Sequence, residues 1–164
     1  MDGLTDGLMI ILSGVLFVFL FGVLIFSFVA LRKEAPLRVK YNGVFTGNKA
    51  NNTISCMGAG LGLTIAITFV FIFMPEQVQE LGEYAWLSLL VGPLIFLVGV
   101  LMLLSIKKRC PEELRKGLVW NLVLVAFGYN MRKMMSSMHF ADTPNEAYAK
   151  AEREAKMGKQ NTYN

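Results

Sequence analysis

"GLVWNLVLVAFGYNMRKMMSSMHF", residues 117–140, is the stretch on which the fold turns, because it is apolar enough for a membrane crossing yet is interrupted by charge. Residues 117–131 carry no charge, and Arg132 and Lys133 follow at once. That uncharged part makes about 22 Å of helix at 1.5 Å per residue, short of the roughly 30 Å of hydrocarbon in a bilayer. On one helix, Trp120, Val123, Phe127, Met131, Met134 and Met138 recur at spacings of three and four as an apolar stripe. Asn121, Gly128, Arg132, Ser136 and His139 fall opposite, with Val125 intruding among them and Asn130 and Lys133 off the pattern. The expectation is an amphipathic helix lying in the membrane plane or re-entering it; a short fourth span is the alternative.

Upstream, three longer runs leave no such ambiguity. Residues 7–31 are uncharged, roughly 37 Å of helix, enough to span with some tilt. A second uncharged run covers residues 50–75, apolar from Ile54 onward, and a third covers 84–106, opening on Tyr84 and Trp86, which suit a membrane interface. With 54% hydrophobic residues, including 12 Phe and 10 Met, the 164-residue chain carries more apolar surface than a small soluble core can bury. The fold class expected is an all-α membrane protein with three transmembrane helices. Asp2 and Asp6 precede the first run where a cleaved signal peptide would carry basic residues, so that run is expected to be retained.

Charge fixes the expected orientation. Residues 32–53 hold Arg32, Lys33, Arg38, Lys40 and Lys49 against Glu34, and "KKRCPEELRK", residues 107–116, holds five basic residues against two acidic ones. Between them, Glu76, Glu80 and Glu83 stand without a basic residue. Lys and Arg are retained on the cytoplasmic side, which places the N-terminus outside and residues 32–53, 107–116 and the C-terminus inside. A fourth crossing would carry Arg132 and Lys133 outward. The formal charge of +4 follows this loop pattern and forms no aromatic-interleaved patch, so no nucleic-acid partner is expected. The expected domains are a three-helix membrane region over 1–116, the amphipathic segment over 117–140 and a charged cytoplasmic tail over 141–164.

The tail opens on "TPNE", where Thr143 can cap a helix, Pro144 can take its first position and Glu146 can close a capping box, with Gly158 as a stop. Its apolar surface is too small to build a core, which leaves a solvated appendage or a docking handle. In the inner loop, Leu37, Val39 and Tyr41 alternate with Arg38 and Lys40 ahead of Asn42-Gly43, a pattern for a small hairpin or an irregular loop.

Chemistry is sparse. His139 is the lone histidine, which excludes a haem held by two histidines of one chain and disfavours a metal cluster, and neither a cofactor nor a catalytic residue is expected. Cys56 and Cys110 both fall near the inner face, where a disulfide is disfavoured, and the motif for lipidation at Cys110 is weak. The three uncharged runs lack the intramembrane carboxylate that a proton relay or a rotary-ring proteolipid needs. What the second run does contain is "SCMGAGLGLTIA", residues 55–66, with Ser55, Ala59, Gly62 and Ala66 on one helical face and Gly58 beside it. Small residues there let helices approach closely in lipid, so these five are the expected helix-packing site. Gly92-Pro93 is expected to kink or loosen the third span.

Packing features without reactive groups lead to the expectation of a non-enzymatic structural or assembly subunit. Its setting would be a larger membrane complex of energy-transducing or secretion type, with other membrane subunits and the bilayer as partners. The alternative is a homo-oligomeric pore, holin-like in layout: three spans, an outer N-terminus and a charged inner tail. Basic loops and a retained first helix fit a bacterial cytoplasmic membrane, and a mitochondrial inner membrane satisfies the same physics.

Overall fold

The computed structural model describes residues 2–41, 43–80, 82 and 84–160, with side-chain surroundings described for 11–41, 43–76, 78, 82 and 84–158. Every regular element among them is helical: α1 (Asp2–Lys40), α2 (Gly47–Phe73), α3 (Pro75–Glu80), a 3-10 turn (Ala85–Leu87), α4 (Ser88–Arg109), α5 (Glu112–Arg115), α6 (Leu118–Ser137) and α7 (Pro144–Gln160). Three segments are long and apolar enough to cross a membrane, Ile11–Lys40, Gly47–Phe73 and Ala85–Arg109, with mean hydropathies of 2.8, 2.2 and 2.8. The chain is thus built as a multi-pass membrane protein. The acidic side chains of Asp2, Asp6, Glu80 and Glu83, used in the charge reading, lie outside the described residues.

The three spans do not form a three-helix bundle. Helices α2 and α4 pack along one another, while α6 packs on both α1 and α2 and joins them. Residues 11–25 of α1 are exposed at every position. The buried core sits at one end, where Tyr41 and Phe45 after α1, Ala50 of α2, Ile106 and Cys110 at the close of α4, and Leu118, Leu122 and Val125 of α6 converge. This is also the basic end, carrying Lys107, Lys108 and Arg109 in the last turn of α4.

Local signals account for the helix ends. Thr46 caps α2, its hydroxyl accepting from the Lys49 amide at 3.3 Å. Gly117 takes a left-handed φ of 76°, turning the chain from α5 into α6. Reciprocal bonds at Thr143 close the expected capping box, with the Thr143 amide donating to Glu146 at 2.9 Å and the Glu146 amide donating to the Thr143 hydroxyl at 3.4 Å. The Thr143 amide, with a lesser contribution from its hydroxyl, favours the charged form and holds the Glu146 carboxyl below its ordinary range.

Three local expectations are corrected. Residues 32–40 are neither hairpin nor loop, because α1 continues to Lys40 through Pro36. Glu34 and Arg38, one turn apart, bond along the helix, and Leu37 packs against the core. Asn42 of the Asn42-Gly43 turn lies outside the described residues. Second, α7 runs past Gly158 to Gln160, and it is no free appendage: it lies against α1 with Ala147 buried. Third, the loosening expected at Gly92-Pro93 is absent, since α4 is helical on both sides of Pro93. The expected apolar stripe of α6 also has a partner face to explain it. Leu118, Leu122, Val125 and Gly128 turn inward, while Trp120, Phe127, Met134 and Met138 stay exposed.

Candidate functional site

Glu34 is the lone acid among residues 32–53, and it is fully buried. Its two carboxylate oxygens meet two different guanidiniums: Arg38 donates from Nη1 to Oε1 at 2.8 Å, and Arg132 donates from Nε to Oε2 at 3.1 Å. The arrangement follows from helical spacing. Ala30 and Glu34 share a face of α1, Gly128 and Arg132 share a face of α6, and each pair is one turn apart. A Cβ at Gly128 would strike the Ala30 carbonyl and lie 2.8 Å from Cβ of Glu34, so a glycine there lets the backbones touch and seats Arg132 on the carboxylate. Arg132 also donates to the Leu31 carbonyl at 2.7 Å.

Arg38 extends the cluster into the tail. Its Nη1 also donates to the Pro144 carbonyl at 3.2 Å, and its guanidinium lies 4.7 Å from the Tyr148 ring and 5.9 Å from that of Tyr129. The buried Nε of Arg38 has no partner among the described residues. One carboxylate and two cations thus fasten α1, α6 and α7 together. Beside them, the Tyr41 hydroxyl donates to the Leu114 carbonyl at 3.0 Å and accepts from Asn121 Nδ2 at 2.7 Å, and Asn130 donates to Asn51 Oδ1 at 2.6 Å. These bonds tie α5 and α6 to the ends of α1 and α2.

The close approach of α2 and α4 uses three other glycines. A Cβ on Gly60 would strike the Phe96 backbone and lie 2.8 Å from the Gly92 carbonyl; one on Gly92 would strike Thr64; one on Gly99 would lie 2.6 Å from Cγ of Met57. Thr64 keeps its hydroxyl satisfied on the Gly60 carbonyl at 2.8 Å. The five residues expected from sequence lie elsewhere. Over Gly58 and Gly62 a Cβ would meet nothing within 4 Å, and Ser55, Ala59 and Ala66 are exposed. They form an open small-residue face on the side of α2 turned away from α4. Within the chain, the tight seam therefore belongs to Gly60, two positions and about 200° from Gly62.

Cys56 and Cys110 are both free thiols. Cys110 is buried in the core, where burial pushes its thiol up against the smaller opposing pull of Arg115. His139 is exposed with φ 61° just past the end of α6. The sequence pattern places Glu34 and Arg38 in an inner loop, which hides the charge cluster. Their spacing of four, together with Arg132 breaking an apolar run, was the available signal. Compared with protein-family models, curated proteins and solved structures, the chain matches none.

Proposed function

We propose that this chain is a non-catalytic structural or assembly subunit of a larger membrane complex, of energy-transducing or secretion type, held in the cytoplasmic membrane of a cell. The observation that carries this reading is the open face of Ser55, Gly58, Ala59, Gly62 and Ala66. Facing lipid, small residues forfeit dispersion contacts that a closely packed partner helix would supply. The exposed stretch 11–25 of α1 offers a second surface. The buried charge cluster, which fastens α1, α6 and α7, supports a rigid mount for those surfaces. The test is extraction in mild detergent with a photo-cross-linker at Gly62, followed by native mass measurement. A defined assembly in which Gly62 cross-links to a different membrane protein is expected. A ring of this chain alone would establish the pore reading instead, and a bare monomer would remove both.

In this reading the N-terminus is outside, the C-terminus is inside, and α6 lies in the plane of the inner leaflet with Trp120, Phe127, Met134 and Met138 toward lipid. The support is that Lys40, Lys49, Lys107, Lys108, Arg109 and Arg132 all belong to the same end of the molecule as the core. Reporter fusions after Phe45, Gln79 and Glu112 should read inside, outside and inside. An outside reading after Phe45 would invert the molecule.

A further inference from the structure

A cleft of about 200 Å³ lies between the first turns of α2 and the last turns of α4. Lys49 and Asn52 line it from α2; Ser105 and Arg109 line it from α4; Met102 and Ile106 form its apolar side. No carboxylate lines it, and neither Lys49 nor Arg109 is ion-paired among the described residues. This sets the cleft apart from the Glu34 cluster, where each arginine has its counter-charge inside the protein. Two cations and the polar side chains of Asn52, Thr53 and Ser105, drawn from two helices and lining one cavity, leave a charge of +2 to be matched from outside; the Thr53 hydroxyl already donates to the Lys49 carbonyl. The polar groups stand at the basic end of the spans, and Met102, one helical turn or two back from Ser105 and Arg109, continues toward the apolar stretch. Such a gradient matches an ionic head with an apolar chain behind it.

We propose that this cleft is a binding site for a phosphate group, with Lys49 and Arg109 supplying charge, Asn52 and Ser105 donating hydrogen bonds, and Met102 and Ile106 lying along whatever apolar portion the ligand carries. Arginine suits a phosphate because its guanidinium can offer two parallel N–H donors, and lysine adds a point charge. Basic clefts between membrane helices at the cytoplasmic side are the kind of place where anionic headgroups lodge. The same chemistry is offered by an anionic phospholipid and by free inorganic phosphate. The apolar side of the cleft is what would separate them.

The experiment uses the full chain purified in mild detergent. Short-chain phosphatidylglycerol, short-chain phosphatidylcholine and inorganic phosphate are titrated separately, reading thermal stabilisation and the number of molecules retained in native mass spectra. Wild type is expected to retain one phosphatidylglycerol per chain in preference to phosphatidylcholine. The pair Lys49→Gln/Arg109→Gln is expected to weaken that binding roughly 30-fold, since each basic group near a membrane surface contributes about a factor of five. Saturable stabilisation by inorganic phosphate, lost in the same variant, would support the site with a free anion as its ligand. Lys107→Gln/Lys108→Gln removes equal charge from the same helix end outside the cleft and should leave binding within about twofold. Equal loss in both variants, or no preference for a phosphate anion in wild type, overturns the proposal. Because Lys49 and Arg109 are exposed and unpaired, the first variant should fold as wild type, and its unliganded thermal midpoint checks that directly.

Discussion

Glu34→Ala should destabilise the protein by about 3–5 kcal/mol, because it leaves two buried guanidiniums facing each other without a counter-charge. An exposed ion pair would be worth no more than about 1 kcal/mol, so the burial decides the magnitude. The side chain of Glu34 is 0% exposed and those of Arg38 and Arg132 are 10% and 13% exposed, which keeps the carboxylate and most of both cations out of water. A loss of that size is a large share of the roughly 5–15 kcal/mol that holds a typical domain folded. Unfolding followed in mixed micelles should show the loss. Raising the salt should not rescue it, since a buried cluster is screened little. A second variant separates charge from packing: with Glu34, Arg38 and Arg132 all changed to Met, the desolvation cost disappears with the attraction, and much of the stability should return. If Glu34→Ala costs less than about 1 kcal/mol, the cluster is wetter than its geometry implies and does not hold α1, α6 and α7 together.

The parts of this architecture that rest on long uniform patterns were legible in the sequence. Twenty or more apolar residues can form only a helix in lipid, so three spans followed from run length. The capping box at Thr143 was legible because it depends on residues three apart. What could not be read depends on residues far apart in sequence. Glu34 reads as one more loop charge until Gly128 is known to lie on Ala30, and nothing local says that a residue 98 positions away will supply its second cation. The same limit explains α7. Its apolar surface is small, but a cation held at Arg38 gives Tyr148 something to lie on. In "GAGLG" three glycines sit at successive even positions of one helix, and which of them meets α4 depends on where Gly92 and Phe96 fall. Composition identified the helix that packs; the face required a partner's coordinates.

That ambiguity makes Gly60 and Gly62 the most informative pair to change. Gly60→Leu places a side chain against the Phe96 backbone and the Gly92 carbonyl, neither of which can move aside as a flexible side chain could. Overpacking typically costs on the order of 1–3 kcal/mol, and a clash with backbone belongs at or above the upper end. The expected result is separation of α2 from α4, read as a fall in thermal midpoint and loss of a cross-link between cysteines placed across the seam. Gly62→Leu should behave differently, because a Cβ there meets nothing within 4 Å. Its effect on the isolated chain should stay within about 0.5 kcal/mol, as for a surface change. In the native membrane the order should reverse for assembly: Gly62→Leu fills the gap that a partner helix would occupy and should abolish co-purification, while Leu61→Ile should not. Should Gly62→Leu assemble as well as wild type, the outer face of α2 meets lipid and the subunit reading loses the observation that carries it. Should Gly60→Leu leave the α2–α4 cross-link intact, the seam itself is misplaced.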